Sequence, residues 1–340
     1  MVTIGDVAKA AGVSRSTASY ALSGKRPISP EVTDRVLAAV EQLGYTPNAG
    51  ARALRTSQTQ VLALFARFVE DEFAPAMLEY IKGVTDTARE LGYDTLLVSD
   101  EDGPGAIRRL SGSQMVDGFV LLNVAEEDDR LEPLRSVHRP GTLVGLPGDT
   151  HGVDVFDLDF EASGRLMVEH MHGLGHREMI LVSQPEDVVR RGGAYVWRLA
   201  DTAKAKADEL GVDLHHYFAA SSQPGIGEDL HRFLDAHPHA TALLLNNEGA
   251  AAALPAVLQE RGLSVPHDLS VIGRYSDVFA RTFSLPFSAI DSAADRLGRH
   301  AVQQLVDRIE GRIDAAAPHT VELIAPEIHD RGSMAAPPAV

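Results

Sequence analysis

Thr3-Ile4-Gly5-Asp6-Val7-Ala8-Lys9-Ala10-Ala11-Gly12-Val13-Ser14-Arg15-Ser16-Thr17-Ala18-Ser19-Tyr20 places two short amphipathic segments on either side of a glycine turn. Thr3 followed by Asp6 is a capping-box-like start, and Val7, Ala10 and Ala11 then give one apolar face until Gly12 ends the helix. Ser14 can cap a second helix that turns Thr17, Ala18 and Leu22 inward and leaves Arg15, Ser16, Ser19 and Tyr20 to face outward before Ser23-Gly24. Ser29-Pro30 then supplies a cap and a first-turn proline to a third helix bearing Val32, Val36, Leu37, Val40 and Leu43 and closed by Gly44. Turns this closely spaced leave no room for βαβ folding, so residues 1–46 read as a small all-α unit. Ala11-Gly12-Val13-Ser14 has the length and glycine of the turn in a helix–turn–helix, whose second helix offers its first side chains to the major groove. On this pattern alone, a helical cap that binds nothing stays open as the alternative.

Working outward, Thr46-Pro47-Asn48 breaks the chain, and residues 47–60 read as a hinge helix and linker. Asn48 can cap the Ala- and Arg-bearing segment 49–56, which at about two turns is too short to be stable alone in water. From Val61 onward apolar runs (61–65, 95–98, 118–122, 142–145, 179–182, 242–245, 271–273) alternate with helical patterns (76–91, 162–174, 196–210, 250–261, 293–310). That texture predicts an α/β body over residues 61–330 with mostly parallel sheets in two lobes, followed by a Pro-rich, disordered tail at 331–340.

The 340 residues suit two or three domains, and 44% apolar with 23% charged residues is an ordinary globular composition. No cysteine is present, which excludes disulfides, thiol nucleophiles and Cys-based metal sites. Neither a signal-like N-terminus nor a long apolar stretch is found, so a cytoplasmic protein without a membrane partner is expected. The net charge of −17 argues against a nucleic-acid partner only as an average. Residues 1–60 carry seven basic and four acidic groups, net +3, which leaves −20 on the remainder. A basic helical unit on an acidic body is the split expected when one domain approaches phosphates and the other does not.

Thr3 to Ala8, Ala11 to Ser14, Thr17-Ala18-Ser19, Ile28-Ser29-Pro30, Arg35-Val36, Leu43 to Asn48 and Ala53-Leu54 together resemble the headpiece of the lactose-repressor (LacI/GalR) family nearly position for position. A looser resemblance continues through Asp117 to Val120, Pro140 to Gly145, Gly175-His176-Arg177, Asn247-Glu248 and Val265 to Gly273, so that it spans residues 3–312. The resemblance implies a helix–turn–helix headpiece on a two-lobed, periplasmic-binding-protein-like body. It also implies a homodimeric repressor on a pseudo-palindromic double-stranded operator, released by a small effector, a sugar by family habit.

Carried over by position, Arg15, Ser16 and Tyr20 stand where the family reads bases; Arg15 can offer two donors to a guanine, while Ser16 and Tyr20 fit base contact or backbone positioning equally well. Ser14, Thr17, Ser19 and Asn48 look like phosphate anchors, Arg52 and Arg55 add positive charge or merely solvate the linker, and Leu54 matches the family's minor-groove lever.

The resemblance and the rule that open α/β folds bind ligands beyond the C-terminal ends of their strands point to Phe73, Pro75, Trp197, Arg198, Asn247, Tyr275 and Asp277 as effector contacts. The family pattern is broken here. Phe160 replaces an asparagine, Glu248 an aspartate, and Arg274-Tyr275-Ser276-Asp277 stands in place of Gly-Phe-Asp-Asp, so the carboxylate that grips sugar hydroxyls is missing at Tyr275.

An enzyme or a plain solute-binding protein with an incidental helical cap is the competing class. Gly225-x-Gly227 lacks the third glycine of a dinucleotide loop, no Gly-Lys-Ser/Thr occurs, and no catalytic constellation or cofactor motif is found. His170 and His172 point to nearly opposite sides of a helix, while His215-His216 and His237-Pro238-His239 read as surface and turn histidines, so no metal is expected.

Overall fold

The computed structural model describes residues 2–23, 26–45, 58–68 and 74–338. The chain divides into two compact units, Met1–Thr59 and Gln60–Val340.

In the first unit α1 (Ile4–Ala10), α2 (Arg15–Ser23) and α3 (Pro30–Leu43) follow the expected order. The capping box forms in full, with Thr3 N donating to Asp6 Oδ2 at 2.8 Å and Asp6 N donating to Thr3 Oγ1 at 3.3 Å. Gly12 takes φ +66° at the turn, and Gly44 closes α3 at φ +58°, both in the left-handed region that glycine enters without penalty. Val7, Ala8, Ala11, Ala18, Val36 and Ala39 make the core. Two expected core positions are corrected. Ala10 is exposed, because burial follows Val7, Ala8 and Ala11 around the helix, and Leu37 is half exposed because Val36 and Ala39 take the inner face of α3.

The second unit is built on two six-stranded sheets. The first contains β1 (Val61–Phe65), β2 (Asp94–Val98), β3 (Gly118–Leu121), β4 (Gly141–Val144), β5 (Asp154–Leu158) and β11 (Val321–Ile324), in spatial order β11-β5-β4-β3-β1-β2 and parallel throughout. The second contains β6 (Glu178–Ser183), β7 (Asp213–Phe218), β8 (Ala242–Asn246), β9 (Ser270–Arg274), β10 (Ser288–Ile290) and β12 (Ile328–His329), in order β12-β10-β9-β8-β6-β7, with only β12 antiparallel. Helices cover both faces, which is why the central strands are buried from end to end and read as unbroken apolar runs. Among the covering helices are α4 (Ala74–Glu90), α5 (Gly103–Gly112), α6 (Leu131–Ser136), α7 (Phe160–Leu174), α8 (Glu186–Arg190), α9 (Ala194–Leu210), α10 (Gly225–Ala236), α11 (Glu248–Arg261), α12 (Asp277–Thr282) and α13 (Ala294–Ile309). Side chains of Asp102, Asp159, Asn247 and Ser276 cap α5, α7, α11 and α12 by accepting from a backbone N–H three residues on.

The expected disordered tail is corrected over 331–338. Ser333 is buried; its hydroxyl donates to Val271 O at 2.6 Å and accepts from Ser288 N at 2.6 Å. Ala335 N donates to Ser270 Oγ at 3.0 Å, and Ala335 O lies 2.9 Å from His176 Nε2. Short polar side chains along β9 and β10 thus offer backbone partners that an apolar, Pro-rich composition does not announce.

Helices α4 and α13 approach so closely that a Cβ on Gly298 would lie 2.8 Å from the Gly83 carbonyl carbon and from Val84 N. Backbone cannot step aside as a side chain can. Gly298→Ala is expected to lower stability by about 1–3 kcal/mol, measured by urea denaturation. Gly173→Ala, where nothing lies within 4 Å of the added carbon, should leave it unchanged or slightly higher.

Candidate functional site

On the helix–turn–helix, Ser14 Oγ accepts from Thr17 N at 3.0 Å and lies 2.8 Å from both Ser16 Oγ and Thr17 Oγ1, so it caps α2 and anchors its first turn. Arg15 and Ser16 are exposed at that turn. The Arg15 guanidinium lies over Gly5, where a Cβ would come within 2.8 Å of its Nε, and near enough to Asp6 to help hold that carboxyl below the usual range, behind the larger effect of the Thr3 hydrogen bonds. Tyr20 is half-buried with the Arg26 guanidinium 5.8 Å from its ring centre. Thr17 and Ser19 are half-buried on the same helix. Asn48, Arg52, Leu54, Arg55 and Phe73 lie outside the described residues.

Within the second unit a cavity of about 190 Å³ opens beyond the C-terminal ends of strands from both sheets. Arg67, Asn123, Leu146 and Asp157 come from the first sheet's side, and Gln184, Tyr195, Glu248 and Arg274 from the second's. Phe160, at the start of α7, forms part of the wall, with Tyr195 tilted against it at 5.2 Å between ring centres and Arg274 5.5 Å from its centroid.

Arg274 is buried. Its Nη2 donates to Glu248 Oε1 at 2.5 Å and its Nε to Asn246 Oδ1 at 2.7 Å, while Gln184 Nε2 donates to Glu248 Oε2 at 2.5 Å. Burial works against the Arg274 charge, but the Glu248 carboxylate, with Tyr80 and Tyr195 adding to it, more than offsets that and the guanidinium pKa rises. Gln184 Oε1 has no hydrogen-bond partner although it is buried. An unsatisfied acceptor in a cavity wall is costly unless a ligand donor or water meets it. Asp157 faces the same space; burial pushes its carboxyl up to about 6, against the opposing donations from Leu146 N and Leu158 N, each at 2.8 Å.

Of the effector residues expected from the sequence, none of the described ones lines this cavity. Asn247 is wholly buried, its Oδ1 capping α11 and its Nδ2 donating to Ser183 O at 3.2 Å. Tyr275 is a core residue whose hydroxyl donates to Phe287 O at 2.9 Å, and Asp277 pairs with Arg331 and with His329 Nδ1 at 3.0 Å. Pro75 sits in the first turn of α4, one residue before Ala76, the first residue of that helix to line the cavity, and Trp197 lies outside the wall with more than a third of its surface exposed. Arg198 reaches across from α9 to the first sheet's loops, donating to Leu146 O at 2.7 Å and to Glu126 Oε2 at 2.6 Å. It bridges the lobes and does not line the cavity.

Tyr275 and Asn247 each lie next to a residue that does reach the wall. Side chains alternate along a strand, so Arg274 points toward Phe160 while its neighbour Tyr275 enters the opposite core. Asn247 and Glu248 split the same way between helix cap and wall. Gln184, immediately after β6, answers the strand-end rule directly and was within reach of it.

Residues 3–48 match the model of the bacterial regulatory proteins, lacI family, and residues 168–334 that of a periplasmic binding protein-like domain. The chain is 29% identical over 339 residues to the HTH-type transcriptional repressor PurR of Haemophilus influenzae strain PittEE, covering 98% of this chain and 99% of that one. It is 28% identical over 322 residues to the HTH-type transcriptional regulator CelR of Thermobifida fusca, covering 91% and 92%. Among known structures, the lac repressor dimer bound to operator and the anti-inducer ONPF superposes with a TM-score of 0.79 at 21% identity over 98% of this chain and 99% of that one. A CelR–cellobiose complex does so at 0.67 and 24% over 98% and 100%. Among the described residues, no helix is long and apolar enough to cross a membrane.

Because Asp157 holds its proton more tightly when folded than the ordinary 3.8 of an unfolded chain, its ionisation opposes folding above about pH 6, and that cost fades as the pH falls toward 4. Asp157→Asn removes the cost. The stability advantage of the variant over wild type, from urea melts of ligand-free protein, is expected to be larger at pH 7.5 than at pH 5.

Proposed function

We propose that this chain, a member of the lacI family of bacterial regulatory proteins, represses transcription as a homodimer on a pseudo-palindromic operator and is released when a sugar enters the cavity between the lobes. The protein is a ligand-responsive DNA-binding regulator and not an enzyme. The reading of the effector as a sugar rests on one arrangement above all. Phe160 and Tyr195 line the wall beside the Glu248–Arg274–Gln184 network, which combines a carboxylate, a guanidinium and an unmet amide oxygen. Aromatic faces suit the C–H faces of a pyranose, and alternating donors and acceptors suit its hydroxyls. The cellobiose held by the related CelR structure is consistent with the same class.

In this reading residues 1–46 supply the headpiece, with Arg15 bidentate to a guanine and Ser14, Thr17 and Ser19 fixing register on phosphates. Residues 47–60 supply a segment that folds only against its twin and the minor groove, where Leu54 opens a base step. A ligand gripped at once by Asp157 on one lobe and Glu248 on the other favours one relation of the lobes, and the Arg198 bridge shifts with it. The separation of the paired linker segments changes in turn, and operator affinity falls.

A mobility shift on palindromic DNA with a central CG step, run across a salt series, tests the reading; the absence of salt-sensitive, sequence-dependent binding would overturn it. Arg15→Ala is expected to relax preference at one base pair per half-site by about 1–3 kcal/mol, and Leu54→Ala to weaken specific binding with an unchanged melting temperature. For the effector, a thermal-shift screen of mono- and oligosaccharides should find a stabilising sugar. Gln184→Leu should weaken it by up to about tenfold, the worth of one hydrogen bond.

A further inference from the structure

Spacing along the sequence gives the histidines of the second lobe no common site, yet the fold brings two of them together with a carboxylate, away from the cavity. Parallel pairing of β6 with β7 sets Glu178 opposite Asp213 and Ile180 opposite His215. Ile180, Val182 and Tyr217 belong to the core under α10, and Tyr217 stacks on Phe233 at 4.3 Å. Alternation therefore puts Glu178, Asp213 and His215 on that same face, at the end where the apolar core stops. His237, just past α10, completes the group from above, its ring stacked on His215 with 3.5 Å between centres.

The ligand atoms of Glu178, His215 and His237 all lie within 4.8 Å of one another. Glu178 Oε1 is 3.3 Å from His215 Nε2 and 3.7 Å from His237 Nδ1, and Asp213 Oδ2 is 3.5 Å from His215 Nε2. These gaps are long for hydrogen bonds. They approach the roughly 3.3 Å between ligand atoms around a tetrahedral ion with bonds of about 2.0–2.1 Å, and a tilt of the stacked imidazole rings away from parallel brings both in-plane lone pairs onto one point. His215 Nε2 is buried and makes no hydrogen bond. The Tyr217 hydroxyl lies 2.6 Å from His237 Nε2; with Nε2–H as donor, the Nδ1 lone pair is left facing Glu178.

We propose that Glu178, His215 and His237 bind a divalent transition-metal ion of the zinc type, with Asp213 or water as fourth ligand. Two imidazoles and a carboxylate select such an ion over magnesium or calcium. The ion ties the edge strand β7 to β6 and to the end of α10, so its binding energy adds to the stability of the second lobe.

The test uses the full-length protein freed of metal by a chelator and titrated with Zn²⁺ by calorimetry and thermal shift, with Co²⁺ absorption as a report of tetrahedral geometry. One saturable site per chain is expected, with a raised melting temperature and tetrahedral Co²⁺ bands. Binding should weaken by more than about tenfold in His215→Ala and Glu178→Gln, and by about tenfold in Tyr217→Phe, while a His170→Ala, His172→Ala double variant keeps it. Glu178→Gln, at the first residue of β6, keeps the test decisive where His215→Ala fails to fold. No saturable Zn²⁺ binding, or equal affinity in Glu178→Gln and wild type, would overturn the assignment.

Discussion

The chain of the second unit passes between its two sheets three times, near residues 158–160, 290–294 and 324–328. Neither lobe is a continuous segment, and the rest of the body follows from that constraint. α13 must return to pack on the first lobe after the second is almost built, and it does so through the glycine contact with α4. The strands' C-terminal ends face each other where the chain crosses, so the cavity draws its wall from both lobes without either being able to close it alone.

Several charges buried in this body are held by the backbone and a charged partner together. Asp154 is fully buried, and though burial raises its pKa, donation from Arg308, Thr320 N and Gln304 brings it below the usual carboxylate range. Arg130 and Asp128 pair in the same manner at 2.6 Å, with Arg130 also donating to Leu122 O and Asn123 O. Such pairs contribute little net stability, since desolvation offsets the attraction, but removing one partner is expensive. The Arg274–Glu248 pair differs because its neighbour Gln184 keeps an oxygen unmet. Arg130 also keeps one buried nitrogen, Nη1, without a partner, but the unmet oxygen of Gln184 stands in the wall of the cavity, where a ligand donor can reach it.

Local chemistry made the headpiece legible: Thr3, Asp6, Gly12, Ser14, Pro30 and Gly44 state their roles within three or four residues, and each α-helix begins or ends where they indicate. Central strands were legible because burial on both faces leaves apolar runs, as in β3 and β8. β5 was not, since Asp154 and Asp157 interrupt it and their partners come from residues far along the chain. β7 was hidden by His215 and His216, and β10 and β12 by being three and two residues long. At the cavity, the strand-end rule located the neighbourhood, but choosing between Arg274 and Tyr275 needs to know which face of β9 looks toward Phe160. The histidine cluster was unreadable for the same reason: Glu178, His215 and His237 meet only through strand pairing and the length of α10.

Both outermost strands added by the returning chain, β11 on one sheet and β12 on the other, come from residues 321–329, and the stretch to Pro338 then seals β9 and β10. On the ribosome, the three-helix unit, complete at Leu43, therefore emerges and can fold long before β11 begins at Val321 and either sheet gains its last edge. For most of its synthesis the nascent chain carries a finished end and an unfinished body with two open strand edges. A stop codon or a protease cut ahead of Val321 would leave those edges bare, which makes residues 321–329 a checkpoint on whether the two sheets are completed at all.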